Sequence, residues 1–181
     1  CQMKEILGFN PKNVLIVGKG NGLIAEYLKM RGVRTVTLDI DKSLNPDVVA
    51  SVLKMPFVEN EFDALLCAEV LEHLPYSEFS KALTEIKRVV GIGVVISLPH
   101  FGPAIKFLVK VPFFAEIKFC LKIPFPKKHV FKGEYYWEIR KRGFAINKIR
   151  EEFKKAGFFV KKEYTVFENP LHHFFVLNKE S

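Results

Sequence analysis

A short apolar run that ends in three alternating glycines constrains this chain more than any other feature. Residues 14–17 are apolar and predict a buried parallel strand, and residues 23–30 predict a helix. The turn between them contains Gly18, Gly20 and Gly22. Glycine tolerates the positive φ angles that a tight strand-to-helix turn requires, and its bare backbone lets a ligand lie against the turn. Since the N–H groups of the helix N-terminus point at such a ligand, the turn predicts nucleotide binding.

The next strand narrows the kind of ligand. Residues 34–40 are rich in β-branched side chains and carry Asp39, about 20 residues after the first glycine, where a carboxylate can accept both hydroxyls of a ribose. The third glycine falls one position early for a dinucleotide fingerprint, and Leu23 stands where that fold requires a small residue. The turn also lacks the Gly-Lys-Ser/Thr ending of a phosphate-binding loop. An adenosine-type ligand is therefore favoured over nicotinamide, flavin or a triphosphate.

The rest of the chain alternates strands and helices. In chain order, the pattern predicts strands near 48–51 and over 62–68, a helix over 76–89, a strand over 92–98, a helix over 146–156, and strands over 158–167 and 172–178. The residues Glu168, Asn169 and Pro170 predict a hairpin turn between the last two strands, which makes the final strand antiparallel to its neighbours.

Five blocks in roughly the first half of the chain carry a family resemblance. They are the glycine turn, the strand ending at Asp39, residues 49–57 with 61–63, residues 67–75, and residues 82–90 leading into 94–99. In this order and spacing they resemble the class I S-adenosylmethionine-dependent methyltransferases, and more narrowly the type 11 group. The resemblance implies an α/β fold with a Rossmann-like, doubly wound, mostly parallel seven-stranded sheet whose last strand is antiparallel.

The resemblance also implies S-adenosylmethionine as the cofactor, a small-molecule methyl acceptor as the substrate, and a set of cofactor contacts. Those contacts are Gly18, Gly20 and Gly22 at the methionine and ribose, Asp39 at the ribose hydroxyls, Ser51, Val52 and Leu53 at the adenine, and Glu69 near the sulfonium.

The chain departs from the family pattern at two positions. Ile16 and Ser51 stand where the family usually has acidic residues. Both changes could weaken cofactor affinity. A non-catalytic cofactor-binding or scaffold protein therefore stands as the alternative to a methyltransferase.

Residues 101–142 form an insertion that the minimal fold does not need, and we expect it to be a lid over the carboxyl ends of the strands. It mixes large apolar side chains with lysines, and its prolines, among them Pro112 and Pro124, predict short pieces and turns rather than one long helix. Three interpretations stay open: the insertion lines an apolar substrate cavity, rests on a membrane surface, or packs against the core or a second subunit.

Three residues are candidates for proton transfer from the acceptor. His100 follows the fifth strand directly, while His129 and Tyr135 lie in the polar, aromatic second part of the insertion. In the alternative interpretation of that second part, Tyr136 and Trp137 anchor the insertion to the sheet. No metal is expected, because His172 and His173 point to opposite faces of a strand and have no nearby acidic cluster.

Composition bounds the remaining possibilities. A chain of 181 residues with 49% apolar residues is expected to form one domain over 1–181. The scattered Cys1, Cys67 and Cys120 are expected to be reduced thiols of a cytoplasmic protein.

The net charge of +8 suits acidic membranes or nucleic acid as binding partners. Because the lysines are spread out and no RNA-binding module is recognisable, nucleic acid is not favoured, whereas peripheral membrane contact stays an alternative. The sequence leaves the oligomeric state open.

Overall fold

The structure, a computed structural model, describes residues 2–110, 117–123, 127–131 and 133–180. Within these residues the strands are β1 (Asn13–Val17), β2 (Arg34–Asp39), β3 (Val48–Val49), β4 (Phe62–Ala68), β5 (Val90–Pro99), β6 (Ala104–Val109), β7 (Ile117–Lys122), β8 (Phe158–Thr165) and β9 (His172–Lys179). The α-helices are α1 (Gln2–Leu7), α2 (Leu23–Met30), α3 (Phe79–Val89) and α4 (Ile146–Lys155). Short 3₁₀ turns cover Lys42–Leu44, Leu71–His73 and Tyr76–Glu78.

Seven strands form one sheet in the order β3-β2-β1-β4-β5-β9-β8. The pairs from β3 to β5 are parallel, and β9 is antiparallel to both β5 and β8. The fold predicted from the sequence is confirmed. In such a sheet the carboxyl ends of β1, β2, β4 and β5 meet at one edge, which is where ligands bind in open α/β sheets.

Apolar side chains of the central strands alternate between two cores. Leu15 and Val17 pack on the side that also holds α3 and α4, whereas Val14 and Ile16 pack on the side of α1 and α2. Ile16 is 3% exposed. The position where the family usually has an acidic residue is therefore part of the hydrophobic core of this chain.

The boundaries of several elements differ from the expectation. The expected helix over 76–89 begins as a 3₁₀ turn, Tyr76–Glu78, before α3. The backbone becomes extended at Val90, so β5 starts two residues earlier than expected. Gly157, with φ of +79°, follows α4 in the left-handed conformation that ends many helices.

Part of the insertion is more regular than expected. In place of short pieces and turns, β6 and β7 form an antiparallel hairpin in which Phe107 pairs with Phe119. Pro103 directly precedes β6, where a proline does not interrupt the ladder. Residues 111–116, 124–126 and 132 of the expected lid, with Pro112, Pro124 and Pro126, lie outside the described residues, as does Cys1. Across the described ranges, no helix is long and apolar enough to cross a bilayer.

Candidate functional site

A cavity of about 410 Å³ lies over the glycine turn, at the carboxyl ends of the central strands. Its size falls within the range of about 300–1,000 Å³ that small-molecule sites occupy. Six of the eight predicted cofactor-binding residues line it, namely Gly18, Gly20, Asp39, Ser51, Val52 and Glu69.

The two glycines on the cavity wall meet different surroundings. A β-carbon on Gly18, whose φ is +82°, would lie 2.4 Å from Cγ2 of Val70. A β-carbon on Gly20, whose φ is +53°, would meet no protein atom within 4 Å. The open side of Gly20 is therefore available to a ligand. Gly22 is the N-cap of α2, with φ of +76°, and does not line this cavity.

Asp39 faces the glycine turn. Its Oδ2 accepts a hydrogen bond from the backbone N–H of Lys19 at 2.8 Å, and its Oδ1 accepts one from the N–H of Asp41 at 2.9 Å. These two bonds fix the carboxylate at the end of β2, on the cavity wall. Each carboxylate oxygen has a further lone pair with which to accept a ligand hydroxyl.

The three residues predicted to flank the adenine lie in different places. Ser51 and Val52 line the cavity, whereas Leu53 packs against the main core. The backbone N–H of Leu53 donates to Oγ of Ser51 at 3.2 Å.

A second cavity, of about 720 Å³, lies beside the first. Much of its wall is apolar, with Pro99, Phe101, Pro103 and Leu171, and it also includes His100, Tyr135, Glu138 and His172. Glu69 belongs to the walls of both cavities.

Glu69 follows β4 in a left-handed conformation, with φ of +54°. Such a conformation is costly for a residue other than glycine and is concentrated at functional sites. Its Oε1 accepts a hydrogen bond from Oγ of Ser97 at 2.7 Å and lies 3.0 Å from Nδ1 of His172. Its Oε2 is buried, with no hydrogen-bond partner among the described residues. This oxygen is a polar atom that a ligand at the junction of the cavities could satisfy.

A second carboxyl group lies near Glu69. Glu72 is fully buried, and neither of its carboxyl oxygens has a hydrogen-bond partner among the residues that the structure describes. Burial, with the charge of Glu69 as a smaller cause, raises the pKa of Glu72 to about 9. The Glu72 carboxyl is therefore protonated at neutral pH.

The predicted proton-transfer residues divide between the cavity and the surrounding structure. His100 lines the second cavity, and burial, aided by His173 and nearby cations, lowers its pKa to about 3. Tyr135 also lines this cavity, and burial raises its pKa. Nε2 of His129 lies 2.7 Å from the backbone oxygen of Tyr135, and His129 lines neither cavity.

Trp137 is completely buried, and its Nε1–H donates to the backbone oxygen of Leu74 at 3.1 Å. The backbone N–H of Tyr136 donates to the oxygen of Glu72 at 2.8 Å, but its side chain is exposed. Trp137 thus holds the second part of the insertion against the segment after β4 and against Phe79 of α3, whereas the ring of Tyr136, the other anchor in that interpretation, is exposed.

Three polar residues of the site were not predicted from the sequence, namely Ser97, His172 and Glu72. His172 was considered only as a metal ligand. In the part of the chain that the structure describes, no group of three or more potential metal ligands occurs. The sequence signal for Glu72 is a carboxylate inside an apolar segment, residues 70–74.

Comparisons with known proteins support the resemblance that the sequence predicted, over part of the chain. A family model described as a methyltransferase domain, type 11, matches residues 15–97. The match covers slightly less than half of the chain. Over these residues the resemblance to the type 11 methyltransferases that the sequence predicted is confirmed, and it supports S-adenosylmethionine as the cofactor.

Two curated proteins are similar to part of this chain. An uncharacterised protein of Methanocaldococcus jannaschii is 36% identical over 88 residues, which cover 45% of this chain and 38% of that protein. Ribosomal RNA small subunit methyltransferase A of Thermotoga petrophila is 28% identical over 109 residues, which cover 49% of this chain and 42% of that protein. The similarity thus spans less than half the length of either relative.

Solved structures share the fold at low identity. The 1,6-didemethyltoxoflavin N1-methyltransferase of Burkholderia thailandensis, solved with 1,6-didemethyltoxoflavin and S-adenosylhomocysteine, has a TM-score of 0.66 at 16% identity. That comparison covers 99% of this chain and 77% of the other. The described fold is therefore that of the class I methyltransferases.

Proposed function

We propose that this chain is an S-adenosylmethionine-dependent methyltransferase whose acceptor is an apolar small molecule. One observation carries the proposal: the cavity over the glycine turn and the larger apolar cavity share Glu69 in their walls. A methyl donor in the first cavity and an acceptor in the second would meet at this residue. We further propose that residues 1–181 act as one cytoplasmic domain, with residues 101–142 as its substrate-side insertion.

The residues of the first cavity suit the cofactor. Gly20 leaves bare backbone on the wall, Asp39 presents its carboxylate beside the turn, and Oε2 of Glu69 is buried without a partner in the described residues. When bound, S-adenosylmethionine would supply the methyl group and a sulfonium leaving group. The residues of the protein then have to align the acceptor, exclude water and accept a proton from the acceptor.

The lining of the second cavity favours an apolar acceptor. Proline, phenylalanine and leucine side chains contribute much of the apolar wall, and the polar side chains are those of Glu69, His100, Tyr135, Glu138 and His172. An apolar wall with a few polar groups is the usual composition of a site that orients a largely hydrophobic ligand. The identity of the acceptor depends on the insertion, since loops on this scaffold vary freely.

Calorimetry with S-adenosylmethionine tests cofactor binding and separates the enzyme from a non-catalytic scaffold. We expect Asp39→Asn to weaken binding by roughly 10–100-fold, because a charge-assisted hydrogen bond contributes about 1.5–3 kcal/mol. Asp41→Asn is the matched control, since the Asp41 side chain accepts from the N–H of Ser43 on the exposed surface. Absence of binding to the natural chain would favour the scaffold.

Transfer itself is tested with methyl-labelled cofactor and a cell extract. We expect label in an apolar, solvent-extractable compound that mass spectrometry can identify. Binding without any labelled product from such extracts would again favour the scaffold.

We also propose that the hairpin of β6 and β7 rests on an anionic membrane surface. Strand pairing places six apolar side chains on one face of the hairpin, and all six are exposed: Ile105, Phe107, Val109, Ile117, Phe119 and Leu121. The opposite face carries Lys106, Lys118 and Lys122. Lys106 and Lys118 contact the Phe167–Glu168 segment, so the basic face lies toward the rest of the chain and the apolar face lies outward.

Charge favours a membrane over a second copy of the chain. Residues 104–133 contain seven lysines and a single acidic residue, Glu116. Two such hairpins packed face to face would repel each other, whereas acidic lipid headgroups complement the lysines and the acyl boundary accepts the apolar face. Gly102 and Pro103, at the base of the hairpin, line the second cavity, so an apolar acceptor would have a short path into it from the bilayer.

Flotation with vesicles tests the membrane proposal. We expect the chain to float with phosphatidylcholine vesicles that contain phosphatidylglycerol, and less so at high salt. The double variant Phe107→Ser/Phe119→Ser should lose flotation, whereas Leu108→Ser, an exposed apolar residue of the opposite face, should keep it. Equal flotation of both variants would overturn the proposal. Dimerisation without flotation would instead identify a second copy as the partner.

A further inference from the structure

Three neighbouring strands bring three polar side chains together at the junction of the cavities. Glu69 follows β4, Ser97 lies in β5, and His172 begins β9. The sheet order places β5 between β4 and β9, so Ser97 lies between the other two residues. A single oxygen, Oε1 of Glu69, accepts from the Ser97 hydroxyl at 2.7 Å and lies 3.0 Å from Nδ1 of His172.

This contact determines which nitrogen of His172 carries hydrogen. A carboxylate oxygen accepts hydrogen bonds, so Nδ1 of the imidazole must be the donor. In a neutral imidazole, Nε2 then keeps its lone pair. The side chain of His172 is 36% exposed and lines the second cavity. Of the two ring nitrogens, Nε2 is therefore the one whose lone pair is left to accept a proton.

Two features of the surroundings support an oriented imidazole. Burial raises the pKa of the neighbouring Glu72 to about 9, which favours the neutral form of this second carboxyl group. Glu69 itself is held with φ of +54°, a conformation in which its backbone N–H donates to the oxygen of Ser97 at 3.1 Å. A fixed carboxylate next to the imidazole stabilises the charge that the ring gains when it takes a proton.

We propose that His172, oriented by Glu69, is the general base that takes a proton from a hydroxyl group of the acceptor. The hydroxyl O–H bond breaks, the proton forms a new N–H bond at Nε2, and the oxygen keeps the electron pair with which it bonds to the methyl carbon. The proton then passes from the imidazolium to water. His172 is the catalytic residue and Glu69 is a positioning residue.

The proposal rests on the proposed function and adds an acceptor class, an apolar compound that carries a hydroxyl group. Such a hydroxyl needs a base near neutral pH, because it stays protonated there. His100 lines the same cavity, but its pKa is lowered to about 3 and its Nδ1 lies 3.1 Å from Nδ1 of His173. His100 is therefore a poor proton acceptor in this cavity.

The first test needs no ligand. Imidazole ¹⁵N NMR reports which ring nitrogen carries hydrogen, and the signal of His172 is assigned by its absence in His172→Gln. We expect hydrogen on Nδ1 and a bare Nε2 in the natural chain. Glu69→Gln should remove that preference. Hydrogen on Nε2 with a bare Nδ1 would overturn the proposal.

The second test uses 4-nitrophenol, whose anion absorbs visible light, without cofactor. Buffer below the phenol's own ionisation range keeps the free probe neutral. We expect the natural chain to bind the probe and to produce a saturable phenolate band. His172→Gln should bind the probe without the band. His173→Gln is the control, because this neighbouring histidine is buried, does not line the cavity and should keep the band.

Each remaining outcome bears on the proposal. A phenolate band in His172→Gln, or its loss in both histidine variants, would overturn the role of His172. Failure of the natural chain to bind the phenol would overturn the assigned acceptor class. Neither measurement involves S-adenosylmethionine, so a failure here is distinguishable from a failure of cofactor binding or transfer. Circular dichroism of each variant shows that the fold is retained.

Discussion

Gly18 and Val70 are packed so closely that a β-carbon on the glycine would lie 2.4 Å from Cγ2 of the valine. Gly18 begins the turn after β1, and Val70 lies in the segment after β4, the next strand in the sheet. Both residues line the first cavity. The shape of the cavity wall thus depends on the missing side chain of Gly18.

Gly18→Ala is expected to weaken cofactor binding and to destabilise the fold. The new methyl group would clash with Val70, and alanine is also strained at a φ of +82°. Gly32→Ala separates the backbone strain from the clash, because Gly32 has a similar φ of +76° but open space around its β-carbon position. We expect Gly32→Ala to cost about 1–2 kcal/mol of unfolding free energy with unchanged affinity for S-adenosylmethionine in calorimetry. Equal affinities of the two variants would contradict this explanation.

Glu85 and Arg88 of α3 bind the segment before β4 through hydrogen bonds to its backbone. The guanidinium of Arg88 binds the Glu85 carboxylate through Nε and NH2, and Glu85 also accepts from the N–H of Met55 at 2.7 Å. The hydrogen bonds from Arg88 lower the pKa of Glu85. A lowered carboxyl pKa contributes stability above the unfolded value, and this contribution is lost as pH falls through the folded pKa.

We therefore expect Glu85→Gln to lower the free energy of unfolding by about 1 kcal/mol at pH 7, and by less as the pH approaches 4. Urea unfolding at pH 7, 5 and 4 measures this difference. Glu26→Gln, which removes an exposed pair with Lys29, is the control and should change stability by less than about 0.5 kcal/mol. A pH-independent effect of Glu85→Gln would show that its charge is not responsible.

The two buried histidines are expected to make the fold sensitive to mild acid. Burial lowers the pKa of His173 to about 4, and that of His100 to about 3. Both are neutral in the folded protein, whereas in the unfolded chain they take up protons below about pH 6.5. Since the unfolded state then binds more protons, stability falls as the pH drops from 6.5 toward 5, by up to about 1.4 kcal/mol per pH unit for each histidine.

Replacement of one of these histidines should make the free energy of unfolding less dependent on pH. We expect His173→Gln to be less stable than the natural chain at pH 7, yet to lose less stability between pH 6.5 and 5. Guanidinium unfolding across this range provides the slope. An unchanged slope would mean that His173 is protonated in the folded state as well.

Trp137 is expected to be a main support of the insertion. It is the one tryptophan of the chain, it is fully buried, and its indole N–H satisfies the backbone oxygen of Leu74. Trp137→Ala should cost about 3–5 kcal/mol through the cavity it creates. Trp137→Phe should cost less, although it leaves the Leu74 oxygen without this donor. Chemical unfolding followed by circular dichroism provides both values, and a cost below about 1 kcal/mol for Trp137→Ala would contradict the anchoring role.

The sequence by itself determined the individual strands and the glycine turn of the first half of the chain. Apolar runs, the three glycines and Asp39 carry information about backbone conformation within a few residues, so β1, β2, β4 and the turn were predictable. The hairpin of β6 and β7 was not predicted, although Ile105, Phe107 and Val109 are spaced two residues apart and Lys106 separates the first two. The mixture of prolines and lysines was interpreted there as irregular structure.

Only the tertiary structure determined which polar side chains lie together in the site. His172 lies beside Glu69 because β9 inserts between β5 and β8, a long-range pairing that local periodicity does not encode. Burial of Glu72 likewise depends on the insertion, whose Tyr136 N–H bonds to the Glu72 backbone oxygen. Local pattern fixes φ angles and the faces of strands, but the proximity and the pKa of side chains depend on which distant elements pack against them.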